Sequence, residues 1–352
     1  MSGIDYQSLP SRVIFGAGAL DRAPEVAADL GMSRAMVITT RSQGEPARRL
    51  MEMLGAAGAL LFPGAAMHTP VEVTLGAMKL AQSKGIDGLI ALGGGSAIGL
   101  AKDIALRTDL PQIAIPATYA GSEMTPVVGQ TEAGAKTTQR TPKVLPEAVI
   151  YDVRLSLSLP AAVGVTSGFN AIAHGVEALY SRTANALLSG VAEECVRSMA
   201  HALPRITAQP DDEASRSRAL EGAWLGGWSL ANGGSALHHR LCHILGGAFS
   251  LPHAETHTVL LPHVLAYNAP AVPAAMERLR RALGVEEPAR ELYDLARSLG
   301  APRSLQQIGL PEDGVARALD QLFADPPWNP RSLARAPLQA MLKRAWRGDR
   351  PG

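Results

Sequence analysis

The first half of the chain alternates short aliphatic runs with helical stretches, and this alternation constrains the fold more than any other feature. Four apolar runs predict buried strands, at residues 35–40, 59–63, 88–92 and 112–116. Helices are predicted between them, at about 44–57, 70–84 and 96–107. Continuous apolar strands separated by helices are typical of a parallel sheet that is covered on both faces. We therefore expect a Rossmann-like α/β domain, to which residues 13–16 and 148–151 add edge strands.

From Pro160 onward strand-like runs are absent and helical periodicity dominates, with helices expected at about 233–248 and 259–267, among others. The second half is therefore predicted to be all-helical. We place residues 1–155 in the α/β domain and residues 156–352 in the helical domain.

Charge and composition exclude several classes of protein. The 352 residues include 33 Lys and Arg against 32 Asp and Glu, which gives no field to attract nucleic acid or an anionic membrane. Two cysteines cannot build a disulfide framework, and no run approaches the roughly 20 apolar residues of a membrane span. The N-terminus lacks the basic and apolar regions of a signal peptide. We therefore expect a cytoplasmic protein without nucleic-acid or membrane partners.

A glycine-rich segment follows the predicted strand at 88–92. The glycines at 93–95 let backbone N–H groups approach a ligand, and Ser96 can cap the next helix. A helix N-terminus behind a parallel strand suits a pyrophosphate. A second Gly/Thr/Ser segment, at 116–125, also follows a strand, at the sheet edge where such folds bind ligands. The sequence therefore predicts a nucleotide site, with an ordinary strand-to-helix turn as the alternative.

Histidines are concentrated in the second half. Six of the nine lie within 26 residues: His238, His239, His243, His253, His257 and His263. His239 and His243 share a helix face because they are four residues apart. His174 lies upstream, four residues after Asn170. This density predicts a functional site in which imidazoles serve as metal ligands or as acid/base and anion-binding groups.

These segments resemble the iron-containing alcohol dehydrogenase superfamily and, within it, the maleylacetate reductases. The matching stretches are 93–102, 119–125, 168–174, 238–243, 251–257, 329–331 and 345–348. The resemblance extends over nearly the whole chain. It implies a dehydroquinate synthase-like fold, with an NAD(P)-binding α/β domain, an all-α catalytic domain and a homodimeric assembly.

The resemblance also implies a departure in metal chemistry. Metal-dependent members bind a divalent ion through an aspartate and three histidines, and the corresponding positions are Asn170, His174, His239 and His253. The neutral amide of Asn170 removes the anionic ligand, so we expect a site without metal. The main alternative is a metal-dependent (Fe or Zn) alcohol or polyol dehydrogenase of the same fold. Another is a catalytically silent nucleotide-binding module.

The reaction that the resemblance implies is the NADH- or NADPH-dependent reduction of the carbon–carbon double bond of maleylacetate, a dianionic oxo-diacid, to 3-oxoadipate in aromatic-compound degradation. His174, His239 and His253 are predicted to bind substrate oxygens, and His243 is the first choice of proton donor. His257 and Tyr119 are second choices for that role and, with Asn170, are predicted to contact the substrate. Cofactor contacts are predicted for Gly94, Gly95, Ser96, Thr118, Ser122, Lys136 and Thr40. His238 and His263 are interpreted as packing residues or as neighbours that support the site.

The choice between NADH and NADPH depends on the residues after the first Rossmann-like strand. Many NAD-dependent members have an aspartate there, which bonds the adenosine ribose, whereas this chain has Thr39, Thr40 and Arg41. Without the carboxylate a 2′-phosphate is not repelled, and Arg41 can attract it. Both NADPH and NADH therefore remain allowed.

Overall fold

The computed structural model describes residues 6–67, 69–132 and 135–352, without the side chains at 132, 135 and 136. The chain forms two compact units. One comprises Ser8–Leu159, and the other Pro160–Gly352 with Tyr6 and Gln7. The predicted boundary at residue 155 lies inside the short helix Val153–Leu157, which belongs to the first unit. Asp152, which precedes this helix, ties it there by accepting hydrogen bonds from the backbone N–H groups of Gly18 and Leu20.

The first unit is built on a six-stranded parallel sheet. The strands of the whole unit, in chain order, are β1 (Arg12–Gly16), β2 (Ala35–Ile38), β3 (Gly58–Phe62), β4 (Gly88–Gly93), β5 (Gln112–Pro116), β6 (Val127–Glu132), β7 (Ala135–Arg140) and β8 (Ala148–Asp152). Strands β6 and β7 lie outside the six-stranded sheet. The sheet order is β1-β8-β5-β4-β2-β3, with parallel pairing throughout. Strands β2, β4, β5 and β8 are buried along their whole length, which explains why they read as continuous apolar runs.

Two features of the sheet differ from the prediction. β1 lies at an edge as expected, but the prediction of an edge position for β8 was wrong, because it pairs with both β1 and β5. Strands β6 and β7 form a separate antiparallel hairpin that the sequence analysis did not predict. The hairpin contains residues such as Gln130, Thr131 and Thr137 and carries no continuous aliphatic run.

Helices connect the strands of the sheet. They are α1 (Ala23–Asp29), α2 (Gly44–Leu54), α3 (Val71–Ser83), α4 (Gly95–Thr108) and α5 (Val153–Leu157). One core of this unit contains Val37, Ile90, Ile113 and Ile150 from the sheet, with Leu50 from α2. The buried sheet thus holds the loops after β4 and β5 on a rigid base.

The second unit is helical throughout the part that the structure describes. Its α-helices are α6 (Ala161–Leu179), α7 (Ala186–Ala208), α8 (Glu213–Gly233), α9 (Leu237–Phe249), α10 (His253–Asn268), α11 (Pro273–Leu283), α12 (Pro288–Ser298), α13 (Gly314–Ala324) and α14 (Arg335–Arg347). Helix α6 is buried from Gly164 to Leu179. Glycines allow its neighbours to approach: a Cβ on Gly175 would lie 2.9 Å from the carbonyl oxygen of Ala192 in α7.

Helix α10 begins earlier than the sequence predicted. It starts at His253 behind Pro252, rather than at residue 259, and it accommodates Pro262 in its interior. His253 and His257 are therefore one turn apart on the same helix. Within the described residues, none of the helices combines the length and the apolar character needed to cross a bilayer.

Candidate active site

The glycine-rich segment of the α/β unit forms an uncapped helix start. Helix α4 begins at Gly95, with extended backbone at Gly94 and no side-chain hydrogen bond to its first turn. The prediction that Ser96 caps this helix was wrong, because Ser96 lies inside the first turn. The first-turn N–H groups of a helix need acceptors, and an anion supplies them when no side chain does.

The two Gly/Thr segments meet at this helix start. A Cβ on Gly94 would lie 3.0 Å from Cγ2 of Thr118, which follows β5, so only glycine allows this approach without a shift. The backbone N–H of Ala117 donates to the carbonyl oxygen of Gly93 at 2.9 Å. At Gly95, by contrast, a Cβ would meet no atom within 4 Å. Backbone groups near Gly95 are therefore open to a ligand.

A buried lysine fixes the loop that carries Ser122. The Nζ of Lys102, on α4, donates to the carbonyl oxygens of Ser122, Thr125 and Val127 and to Oγ1 of Thr125. Burial lowers the pKa of Lys102 to about 7, although the nearby Glu123 carboxylate opposes the shift. Sequence reasoning gave Lys102 and Glu123 no role, although both stand within the motifs on which the resemblance rests. The signal available in the sequence was that each is the one charged residue of its motif.

The remaining predicted cofactor residues, and Tyr119, differ in burial and in how much of them the structure describes. Thr40 is half-buried after β2, with its hydroxyl 2.9 Å from Oγ of Ser42, and Arg41 is exposed. The side chain of Lys136 lies outside the part of the chain that the structure describes. Tyr119 is fully buried and belongs to the α/β unit, whereas the histidines belong to the helical unit.

Helices α6, α9 and α10 bring five histidines together. The rings of His174 and His239 stack with centroids 5.1 Å apart, and the centroids of His239 and His257 are separated by 4.8 Å. The ring centroid of His253 lies 4.4 Å from that of His257, and the centroids of His243 and His253 are 6.1 Å apart. We call these five residues the histidine cluster.

The histidine cluster has an inner and an outer part. His174, His239 and His257 are buried, whereas His243 and His253 are half-buried. Asn170 is 4% exposed and lies one helical turn before His174 on α6. Nδ1 of His174, Nε2 of His239 and Nε2 of His257 are buried and have no hydrogen-bond partner among the described residues. Such nitrogens mark positions where a ligand can donate or accept hydrogen bonds.

A buried carboxylate that the sequence analysis left without a role supports the cluster. Oε2 of Glu177, on α6, accepts hydrogen bonds from Nδ1 of His239 at 2.5 Å and from the backbone N–H of Ala236 at 2.9 Å. Oε1 accepts from the backbone N–H of His238 at 2.8 Å. Burial opposes ionisation, but His239 and these donors outweigh it and lower the pKa of Glu177. The available signal was one acidic residue within an otherwise uncharged helix.

His238 contacts the cluster from behind. Its Nε2 lies 2.9 Å from Nδ1 of His257 and 3.7 Å from Sγ of Cys242. His263 is separate and packs edge-on against Tyr293, with centroids 6.2 Å apart. His238 therefore holds a ring of the cluster, whereas His263 contributes to packing.

Burial keeps three of these rings, those of His174, His238 and His257, neutral in the protein alone. It lowers the pKa of His174 and of His257 well below the usual value, and the neighbouring imidazoles lower both further. Burial likewise lowers the pKa of His238 to about 3. Protonated imidazoles at His174 and His257 therefore require a bound anion, because a negative charge at contact raises a histidine pKa.

Comparison with known proteins places these two units in a family. Residues 10–153 match the family described as iron-containing alcohol dehydrogenase. Residues 164–346 match the C-terminal part of the Fe-containing alcohol dehydrogenase family. The chain belongs to the iron-containing alcohol dehydrogenase family. It is accordingly an oxidoreductase.

Full-length relatives narrow the comparison. The maleylacetate reductase of Sphingobium indicum is 49% identical over 346 residues, which cover 98% of each chain. That of Burkholderia cepacia is 46% identical over 351 residues, which cover all of both chains. The crystal structure of maleylacetate reductase from Agrobacterium tumefaciens matches with a TM-score of 0.95 and 47% identity over the whole of both chains.

At the positions that the resemblance assigns to a metal, the donors do not fit the iron of the family name. Ferrous sites combine imidazoles with a carboxylate, whereas Asn170 offers a neutral amide beside His174, His239 and His253. Both oxygens of Glu177 are already bonded to backbone and imidazole donors. A dication at this position would therefore meet neutral ligands.

A second group of residues, next to the cluster, offers ligand atoms for a metal ion. Ligand atoms of His238, Cys242 and His257 lie within 4.8 Å of one another. However, the two imidazole nitrogens are only 2.9 Å apart and share a hydrogen bond. Burial also raises the pKa of the Cys242 thiol in the protein without a metal.

Proposed function

We propose that this enzyme reduces the carbon–carbon double bond of maleylacetate to give 3-oxoadipate, with NADH or NADPH as the hydride donor and without a metal ion. The observation that carries the proposal is the histidine cluster itself. Its inner nitrogens lack partners among the described residues, and a neutral Asn170 stands where the resemblance places the aspartate of metal-dependent members. Relatives that are 46–49% identical over their full length are maleylacetate reductases.

The reduction of the double bond requires two things of the protein. Hydride from C4 of the nicotinamide adds to the alkene carbon β to the ketone, the π electrons move to the keto oxygen, and NAD(P)⁺ leaves. The resulting enolate collapses as the α carbon takes up a proton. The site must therefore stabilise two carboxylates and a developing enolate, and it must deliver one proton.

The α/β unit meets the cofactor's needs. In our proposal the first turn of α4 binds the pyrophosphate through backbone N–H groups at Gly95 and Ser96, beside Gly94. Thr118 and Ser122 flank the nicotinamide. We propose that Thr40 and Arg41 contact the adenosine ribose, and that the guanidinium of Arg41, which is exposed, favours a 2′-phosphate while still allowing NADH.

The histidine cluster meets the substrate's needs. In our proposal His174, His239 and His253 bind carboxylate and keto oxygens, and the dianion raises the pKa of the imidazoles that it contacts. His243 donates the proton, in keeping with its half-buried position at the outer part of the cluster. His257 is the alternative donor, and Tyr119 is a further alternative. We also propose that the enzyme acts as a homodimer in the cytoplasm.

Product analysis with labelled cofactor tests this function. Reaction of maleylacetate with NADPH deuterated at C4 is expected to give 3-oxoadipate with deuterium on the carbon that was β to the ketone. NMR of the product locates the label. Turnover of simple ketones, aldehydes or polyols in place of maleylacetate would instead support an alcohol dehydrogenase. Cofactor binding without any turnover would support a silent nucleotide-binding protein.

A further inference from the structure

Helix α9 receives its N-terminal cap from another helix. No side chain of its own N-cap residue, Ala236, bonds the first turn. Glu177 of α6 fills this role, because its carboxylate accepts the backbone N–H groups of Ala236 and His238 at 2.9 and 2.8 Å. A carboxylate at this end also complements the positive end of the helix dipole. Glu177 thus fixes where α9 begins relative to α6.

The same carboxylate fixes the tautomer of His239. A carboxylate can only accept hydrogen bonds, so the 2.5 Å contact places the proton of a neutral His239 ring on Nδ1. The lone pair then lies on Nε2, which is buried and has no partner in the described part of the chain. The ring can turn only by breaking a charge-assisted hydrogen bond.

We propose that Glu177 is a positioning residue for the reduction: it holds His239 with Nε2 directed at the substrate, where the imidazolium form donates from Nε2 to a substrate oxygen, and it anchors the first turn of α9. This inference rests on the proposed function for its kinetic consequence, although the tautomer itself does not depend on the reaction.

The anchor extends to a second imidazole. Glu177 holds the backbone of His238, and the ring of His238 holds Nδ1 of His257 at 2.9 Å. The Glu177 carboxylate thus holds His239 directly and His257 through His238. An amide cannot replace it, because an NH₂ group on either side would face an N–H donor of α9 or of His239.

Substitution of Glu177 tests the kinetic part. Glu177→Gln is expected to lower kcat by about 10–100-fold, the range seen when a carboxylate that orients a metal-bound imidazole is removed. The Kd for NADPH is expected to stay unchanged, and Glu177→Asp is expected to recover part of the lost kcat. Glu193→Gln is the control, because Glu193 is also a largely buried glutamate of this unit but bonds Arg197, Arg278 and Arg281. It should leave kcat unchanged. Equal losses in both glutamine variants, or wild-type kcat in folded Glu177→Gln, would overturn the proposal.

A spectroscopic measurement on the wild-type enzyme remains decisive even if Glu177→Gln fails to fold. Long-range ¹H–¹⁵N spectra at mildly alkaline pH, assigned with His239→Asn, report which ring nitrogen carries the proton. The proposal predicts the Nδ1–H tautomer for His239, and the Nε2–H tautomer would overturn it. An enzyme that shows the Nδ1–H tautomer but does not reduce maleylacetate would refute the proposed function and leave the placement of His239 intact.

Discussion

The substitution Asn170→Asp restores the carboxylate that metal-dependent relatives carry, and it tests the role of charge in the site. Asn170 is buried one helical turn before His174, so a carboxylate there lies about 6 Å from an anion that His174 binds. With an effective dielectric constant of about 20, the repulsion between the two charges is about 3 kcal/mol, or roughly a hundredfold in affinity. The new carboxylate also raises the pKa of His174, and a protonated His174 offsets part of this repulsion. We therefore expect a loss of about 1.4–3 kcal/mol, which corresponds to a ten- to hundredfold rise in the KM for maleylacetate.

Steady-state kinetics and metal binding provide the assay. The KM for maleylacetate should rise while the KM for NADPH stays constant, because the α/β unit is untouched. The variant should also bind Zn²⁺ or Fe²⁺ more tightly in calorimetry, since an aspartate completes the family's ligand set.

A matched substitution separates local charge from general effects. Asn185→Asp makes the same chemical change at the N-cap of α7, where aspartate caps as well as asparagine. It should alter neither KM nor metal affinity. An unchanged KM for maleylacetate in Asn170→Asp, or an equal shift in both variants, would refute the argument that an uncharged residue 170 is needed to bind the dianion.

Three further predictions follow from the site and its surroundings. His243→Ala should lower kcat by about 10²–10⁴-fold and leave the Kd for NADPH unchanged, because it removes the proposed proton donor. Gly95→Ala should weaken NADPH binding by about tenfold, measured by fluorescence titration, because its Cβ enters open space at the proposed pyrophosphate site and disturbs a charge-assisted hydrogen bond worth about 1.5 kcal/mol. The free energy of unfolding should fall as the pH drops below about 6.5, by about 1.4 kcal/mol per pH unit for each buried histidine with a depressed pKa. For His263 this loss extends to its folded-state pKa of about 4, and urea unfolding at several pH values measures it.

For each of these predictions, one result would contradict it. An unchanged kcat in His243→Ala would remove it as the donor and leave His257 and Tyr119. Gly76→Ala adds a Cβ to open space on α3, so equal loss of NADPH affinity there would contradict the pyrophosphate assignment. His263→Leu should flatten the acid dependence, because burial and Arg344 lower the pKa of His263 only in the folded state, so the unfolded chain takes up the proton first. An unaltered slope in that variant would contradict this reading.

The sequence predicted the parallel sheet well because its strands are buried on both faces and therefore read as apolar runs. Strand order is a non-local property, so the local pattern could not show that β8 lies inside the sheet. The β6–β7 hairpin was missed because its polar residues do not form such a run. The start of α10 was missed because its first turns carry His253, Glu255 and His257, which interrupt the apolar periodicity.

The candidate site was partly visible in the sequence. Histidine density and the glycine-rich motif singled out the residues that the structure gathers in each unit. The hydrogen bonds that support them were not visible, because Glu177 bonds α9 across 59 to 62 residues of sequence and no local capping motif indicates these contacts. The hydrogen bonds of Lys102 were likewise not visible, since their acceptors include backbone oxygens of a loop 20 to 25 residues away.

The most direct test of the central claim is the rate of maleylacetate-dependent NADPH oxidation by enzyme stripped of metal. We predict that exhaustive chelation leaves the rate unchanged and that added Zn²⁺ or Fe²⁺ does not increase it. Loss of activity on chelation, restored by Zn²⁺ or Fe²⁺, would contradict a reduction carried out by the histidine cluster alone.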